Sequence, residues 1–262
     1  MNTVALDAGT LIRRRLEQLA HEPGEVVGML AFPVIMVVLF GFVFGSAIAV
    51  PGGGNYREYL MPGLFVMAAA ASIANNMLAV ATDHTRGVMD RFRSMPMSRS
   101  AVPLGQTGAD LLLGLIAMVM MLICGYAFGW RAHNGVGPAF AAIGLIVLFR
   151  YSMSWIGTYL GLLVKNEGTA DQLSPLFLPV TMLSNAFVPT GGMPAWLRVV
   201  TEWNPISATV AACRSLFGNP GVPAVNPAWP LAHPVVATLA WSAVLLVIFV
   251  PLSVRKFAKA GL

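Results

Sequence analysis

Apolar residues in this chain do not alternate, and they do not recur on one face only; they run. Val26 to Val50, Tyr59 to Thr82, Leu104 to Gly129, Gly137 to Val164, Gln172 to Val188 and Pro234 to Val254 are continuous apolar stretches separated by short polar breaks. About 20 predominantly apolar residues cross the hydrocarbon of a bilayer as a helix. A backbone in lipid must satisfy its own hydrogen bonds, so such runs are helical. The pattern predicts an all-α, polytopic membrane protein with six transmembrane helices, forming a single transmembrane domain over residues 1–262. The fifth run is the weakest, because Pro175 and Pro179 interrupt it. Small-residue pairs at GxxxG spacing, Gly41 with Gly45 and Gly157 with Gly161, mark candidate helix contacts.

Between the runs lie three segments with patterns of their own. Residues Thr10 to His21 place Ile12, Leu16 and Leu19 on one face and Arg13, Arg14, Arg15 and Glu17 on the other, which predicts an interfacial amphipathic helix within residues 1–25. The three arginines, the apolar run and Ala47-Ile48-Ala49 resemble a signal peptide, but the run is about twice a signal core in length, so an uncleaved first span is expected. Residues 83–101 are the most charged part of the chain. Val88, Phe92 and Met95 fall at i, i+4 and i+7, while Asp90, Arg91, Arg93 and Ser94 cover the rest of the surface, and Pro96 ends the helix. Residues 189–233 are expected to be external or re-entrant, with helices near Met193–Val200 and Ile206–Phe217 broken at Asn204-Pro205.

Composition agrees with a membrane chain. Hydrophobic residues make up 57% and charged residues 10%, against about 25% charged in a soluble domain. The net charge of +5 reflects the positive-inside rule rather than nucleic-acid binding. Eleven Lys and Arg fall on the side of the N-terminus, the 83–101 loop, Lys165 and the C-terminus. Four (Arg57, Arg131, Arg198, Arg214) fall on the other. That bias places both termini in the cytoplasm, which requires an even number of spans. Cys124 and Cys213 imply neither a disulfide framework nor a zinc site.

The charges and glycine of residues 83–99, closing on Pro96-Met97-Ser98-Arg99, resemble the loop between the second and third spans of type-2 ATP-binding-cassette exporter permeases. Met193-Pro194-Ala195-Trp196-Leu197 and Trp203-Asn204-Pro205-Ile206, followed by Arg214 and Gly218, resemble that family's segment before the last span. Order and spacing extend the likeness over nearly the whole chain, and within the family it is most similar to the daunorubicin-resistance type. The resemblance implies a plasma-membrane permease subunit moving apolar or amphipathic cargo (a drug, lipid or polysaccharide) out of the cytoplasm. It implies cytoplasmic ATP-binding subunits as partners and a second permease subunit, identical or related. By position, Gly87, Asp90, Arg91, Phe92, Arg93, Met95 and Pro96 would contact the ATPase. An apolar anchor with a charged rim is also what a helix needs to fill a groove.

The chain lacks the usual nucleotide-binding motif, so ATP hydrolysis is expected from a separate partner subunit. A phosphate-cradling loop requires G-x-x-x-x-G-K-[ST], and none of Lys165, Lys256 and Lys259 follows a glycine. No cofactor or metal is expected, since His21, His84, His133 and His233 are scattered. Arg150 stands near the middle of the fourth run, where a charge is costly and faces protein or water. It is read either as part of a substrate path or as the structural partner of a polar group such as Asp110. Asp110 and Asp171 fit cap or interface positions, and Asn75 and Asn76 fit interhelical hydrogen bonds. The alternative function is an ion-gradient-driven secondary transporter, which calls for paired mid-depth carboxylates and an inverted repeat. A membrane-embedded enzyme would need a nucleophile or metal cluster at one face. Neither pattern is visible in the sequence.

Overall fold

A computed structural model of the chain describes residues 55–88, 100–164, 166–221 and 227–259, with a few positions between 9 and 39. Among the described residues all regular structure is helical. The expected N-terminal amphipathic helix, Gly41 and Gly45, and most of the first run and of the 83–101 loop lie outside them. Four helices among the described residues are long and apolar enough to cross a membrane: Tyr56–Thr85 (α1), Ala101–Ala127 (α2), Val136–Val164 (α3) and Pro234–Ala258, the body of α9. These correspond to the second, third, fourth and sixth runs.

The fifth run behaves differently from the expected span. It forms α4 (Glu167–Leu173), a 3-10 turn at Ser174–Leu176, and α5 (Phe177–Met182), after which Leu183 leaves the helix at φ −74°, ψ 58°. Residues 167–182 rise only about 24 Å at 1.5 Å per residue, but the segment runs from Thr85, whose Oγ1 accepts from Glu167 N, to Tyr59, whose Oη donates to Asn185 O, so it follows the length of α1 as a broken helix. Proline lacks the amide a helix interior uses, and Pro175 sits in the tightened turn.

α3 is the central helix. Its backbone touches α1 directly at the small pair: a Cβ added at Gly157 would lie 2.3 Å from the Ile73 carbonyl oxygen, and one at Gly161 2.7 Å from that of Met77. The expected role of this pair as a helix contact therefore holds. Asn75 is exposed, whereas Asn76 donates to Ser72 O in its own helix at 3.1 Å and its side-chain amide also faces the Asp110 carboxylate of α2.

Between the fifth run and α9 lie α6 (Ala195–Trp203), α7 (Pro205–Phe217) and the short α8 (Trp229–Ala232); α9 itself runs Pro234–Lys259. The break at Asn204-Pro205 has a simple cause. Pro205 opens α7, and the Asn204 side chain accepts from Ile206 N at 2.9 Å, an N-cap. Gly218, at φ 70°, closes the helix. α7 is not a surface helix: Ile206, Val210, Cys213 and Phe217 share one face and join the main core with Tyr59, Phe65, Met121, Ile146 and Phe149. α6 keeps Trp196, Val199, Val200 and Trp203 exposed on one side, at i, i+3, i+4 and i+7.

The helices sort the connecting segments onto two ends. Val80, Val102, Leu162 and Phe257 form one apolar cluster, so the end of α1, the start of α2 and the ends of α3 and α9 meet there, beside Arg86 and Lys256. At the opposite end His133 N donates to Phe217 O at 2.7 Å and the His133 ring meets Glu58 at 3.0 Å, which brings the start of α1, the α2–α3 turn and the end of α7 together near Arg57 and Arg131. Among the described residues, Arg86 and Lys256 therefore lie toward one end and Arg57 and Arg131 toward the other.

Candidate functional site

Residues 83–101 join the end of α1 to the start of α2, and the described residues show the two feet of that connection. At the first, Arg86 N donates to Thr82 O (2.9 Å) and Gly87 N to His84 O (3.1 Å), and Gly87 takes φ 69°. That left-handed conformation stops α1 and is open to glycine at little cost. No described residue lies within 4 Å of a Cβ placed there, so among the described residues the requirement is one of backbone. At the second foot, Ala101 and Val102 are buried at the start of α2. Thr85 Oγ1 donates to Ala81 O and accepts from Glu167 N at 3.2 Å, which links the first foot to α4. Of the residues expected to meet an ATPase, Gly87 is thus a helix terminator at the loop's root. Asp90, Arg91, Phe92, Arg93, Met95 and Pro96 lie outside the described residues.

Arg150 sits at the midpoint of α3 and is 7% exposed. Its Nη2 donates to Asp110 Oδ1 at 2.6 Å, its Nε to the Asp110 carbonyl at 3.3 Å and its Nη1 to the Ala68 carbonyl at 3.1 Å. Ser72 Oγ in turn donates to the Arg150 carbonyl at 3.2 Å. One residue of α3 is thus bonded to α1 and α2 at once. Gly114, one turn above Asp110, makes the slot: a Cβ there would lie 1.9 Å from the Arg150 Nε. Asp110 Oδ2 is buried with no hydrogen-bond partner among the described residues. Of the two readings of Arg150, this geometry supplies the polar partner. It also moves Asp110 from a cap position into the bundle.

A second buried arginine was not legible as such. Arg214, 5% exposed, was counted among loop charges. In the structure it donates from Nε to Tyr59 O (2.9 Å), from Nη1 to Asn185 O (3.0 Å) and from Nη2 to Ala186 O (2.8 Å), and its guanidinium lies 3.7 Å over the Tyr59 ring. Tyr59 Oη also donates to Asn185 O, at 3.2 Å. Gly63 lets the Ala186 backbone approach, since a Cβ there would meet its oxygen at 2.8 Å. The hub joins α1, α7 and the non-helical turn after α5. The available signal was a lone cation on an otherwise apolar α7.

Above the hub, Phe65, Trp130 and Phe217 pack edge-on in a triangle, with centroids 5.0 to 6.2 Å apart. Trp130 is buried and donates from Nε1 to Asn219 Oδ1 at 2.8 Å. Glu202, buried in α6, accepts from Thr190 Oγ1 (3.1 Å) and Ala228 N (2.9 Å), with Arg198 Nε 3.9 Å away. No group of three or more His, Cys, Asp or Glu able to hold a metal ion occurs among the described residues.

Known proteins agree with this architecture. Residues 7–217 match the model of the ABC-2 type transporter family. The chain belongs to that family, and it is a transmembrane permease subunit of an ATP-binding-cassette exporter. It is 28% identical over 250 residues to a daunorubicin resistance ABC transporter permease protein of Streptomyces coeruleorubidus, covering 95% of this chain and 84% of that one. It is 29% identical over 228 residues to a doxorubicin resistance ABC transporter permease protein of Mycobacterium tuberculosis, covering 83% and 77%. Membership in the family implies partnership with ATP-binding subunits.

Proposed function

We propose that this chain exports an apolar, drug-like cargo from the cytoplasm across the plasma membrane, and that the loop at residues 83–101 is where ATP-binding subunits grip it. The observation that carries the reading is the family match, which runs through the loop and both of its feet. The relatives' resistance to daunorubicin and doxorubicin makes an anthracycline the first cargo to try. On this reading both termini are cytoplasmic, residues 1–25 lie on the inner leaflet, and a second permease subunit completes the path. Residues 189–233 are external or re-entrant, and α6 rests its exposed Trp196 and Trp203 at the outer interface, where tryptophan is favoured.

Transport proceeds by alternating access. ATP binding draws the two ATP-binding subunits together, the loop carries that motion into α1 and α2, and the gap between permease subunits opens outward. The test is Arg91→Ala with Phe92→Ala in the assembled complex, followed by co-purification of the ATP-binding subunits and by doxorubicin uptake into inverted vesicles. Loss of docking and transport, with the chain still inserted at parental level, is expected. Parental docking with both side chains gone would overturn the assignment of the loop.

A further inference from the structure

We propose that Arg150 and Asp110 form a transmission joint: a buried ion pair that makes α1, α2 and α3 move as one body when the loop between α1 and α2 is pushed. The inference rests on the reading of residues 83–101 as the ATPase contact. It adds what happens to the force once it has entered the membrane.

A loop can hand motion to a bundle only through the helices it connects, here α1 and α2. Apolar contacts alone transmit poorly inside a bilayer, because lipid tails are as apolar as leucine and a helix face can exchange its neighbour for lipid. A paired charge cannot make that exchange, since either member left in hydrocarbon is strongly disfavoured. The pair stands more than two turns above the loop's feet, and it binds all three helices at one level. Arg150 meets the Asp110 carboxylate and carbonyl on α2 and the Ala68 carbonyl on α1, while Ser72 of α1 bonds the Arg150 carbonyl. Gly114 leaves the guanidinium a slot that any side chain would close. Below, Val80, Val102 and Leu162 hold the same three helices at the feet. Two levels of attachment make a rigid body; one alone would act as a pivot. Arg150 and Asp110 are therefore positioning residues, acting on transport through the helices they hold.

The experiment uses the full complex in liposomes, with doxorubicin as cargo and ATP hydrolysis measured in parallel. The double change Asp110→Leu with Arg150→Met removes the joint without stranding a charge, a replacement that buried ion pairs tolerate. Hydrolysis is expected near the parental rate, while doxorubicin moved per ATP falls at least about fivefold, the lower end of typical coupling between sites. Gly114→Ala keeps every charge but crowds the guanidinium out of its slot, and a loss in the same direction is expected. If the double variant fails to assemble, Gly114→Ala decides alone. A parental transport-to-hydrolysis ratio in the assembled variants, or a fall in both rates with the ratio unchanged, would overturn the joint. Spin labels at exposed Leu112 on α2 and Phe140 on α3 give a readout independent of cargo. Their separation should stay fixed between nucleotide-free and ATP-bound parent and change by about 2 Å, the size of a helix shift, in the variants. Identical behaviour in parent and variants would overturn the joint. A parent chain that binds no ATP-binding subunit would sink the loop reading instead, so the two failures are distinguishable.

Discussion

The two halves of the bundle bury an arginine each, and they neutralise it differently. In the half nearer the loop, Arg150 of α3 meets a formal opposite charge, and the helices around it touch backbone to backbone at Gly157 and Gly161. In the other half, Arg214 of α7 meets three carbonyl oxygens and a tyrosine ring, and no ion pair to it occurs among the described residues. The carbonyls of Asn185 and Ala186 are free to accept because the chain there is not helical. The contrast teaches where rigidity and adaptability lie. A charge pair in low dielectric is all or nothing, whereas a fork on carbonyl dipoles can lose one contact and keep the others. The half beneath the loop is built to move as a block, and the far half is built to re-form.

The sharpest way to break this comparison is to remove one member of the ion pair. Arg150→Ala leaves Asp110 charged and enclosed, and removing one partner of a buried pair costs about 3–5 kcal/mol. Thermal unfolding in detergent should show that loss, whereas the double apolar replacement should unfold close to the parent. Arg214→Met comes next. It strands carbonyls rather than a charge, each worth about 1–3 kcal/mol when left unsatisfied; Asn185 O keeps the Tyr59 hydroxyl, Tyr59 O lies within a helix, and methionine still covers the ring, so the loss is that of about one carbonyl, about 1–3 kcal/mol. Arg214→Lys, which keeps the charge but loses the fork, should fall between Met and the parent. If Arg214→Met proved more damaging than Arg150→Ala, the assignment of the block to the loop side would be reversed.

A smaller effect tests the backbone contact. Gly161→Ala pushes a methyl to 2.7 Å from the Met77 oxygen, and overpacking of this kind typically costs about 1–3 kcal/mol. Gly144, on the same helix with nothing within 4 Å of an added Cβ, is the control and should tolerate alanine. Unfolding temperatures of the two variants measure the difference, and equal losses would mean that α1 and α3 are not held in contact there.

The sequence carried the spans well and the hubs poorly, for physical reasons. Hydropathy is a property of a whole run, so α1, α2, α3 and α9 were visible from composition alone, with ends within a few residues. The fifth run is a broken helix rather than a continuous one because Pro175 and Pro179 interrupt it, and they were visible too. Arg150 stood out because a charge in hydrocarbon is anomalous, and Asp110 could be named as a candidate partner. Gly114 could not, since a glycine making room for a side chain 36 positions away leaves no local trace. Arg214 was hidden for the opposite reason: its partners are main-chain oxygens, which every residue has. Tryptophan favours the lipid interface, yet Trp130 is held inside by the Asn219 amide and the Phe65–Phe217 pair, partners remote in sequence.

The finest distinction between the halves is carried by two glycines with the same dihedral and different surroundings. Gly87 at the root of the loop has φ 69°, and Gly218 at the end of α7 has φ 70°. A left-handed conformation costs an ordinary L-residue about 1–2 kcal/mol. At Gly87 that is the effect expected, since no described residue lies within 4 Å of the added carbon; at Gly218 the carbon would also meet Asn134 Oδ1 at 2.5 Å. That asparagine donates to Ser215 O at 2.8 Å and holds the α2–α3 turn against α7. Gly87→Ala should therefore lower stability by about 1 kcal/mol, and Gly87→Asn by less, because asparagine tolerates this region. Gly218→Ala should exceed both and loosen the outer turn, seen as faster hydrogen exchange over residues 131–135. Equal penalties at the two sites would mean that the far half yields around Asn134 as freely as open space does, and that its hydrogen bonds do not hold the turn in place.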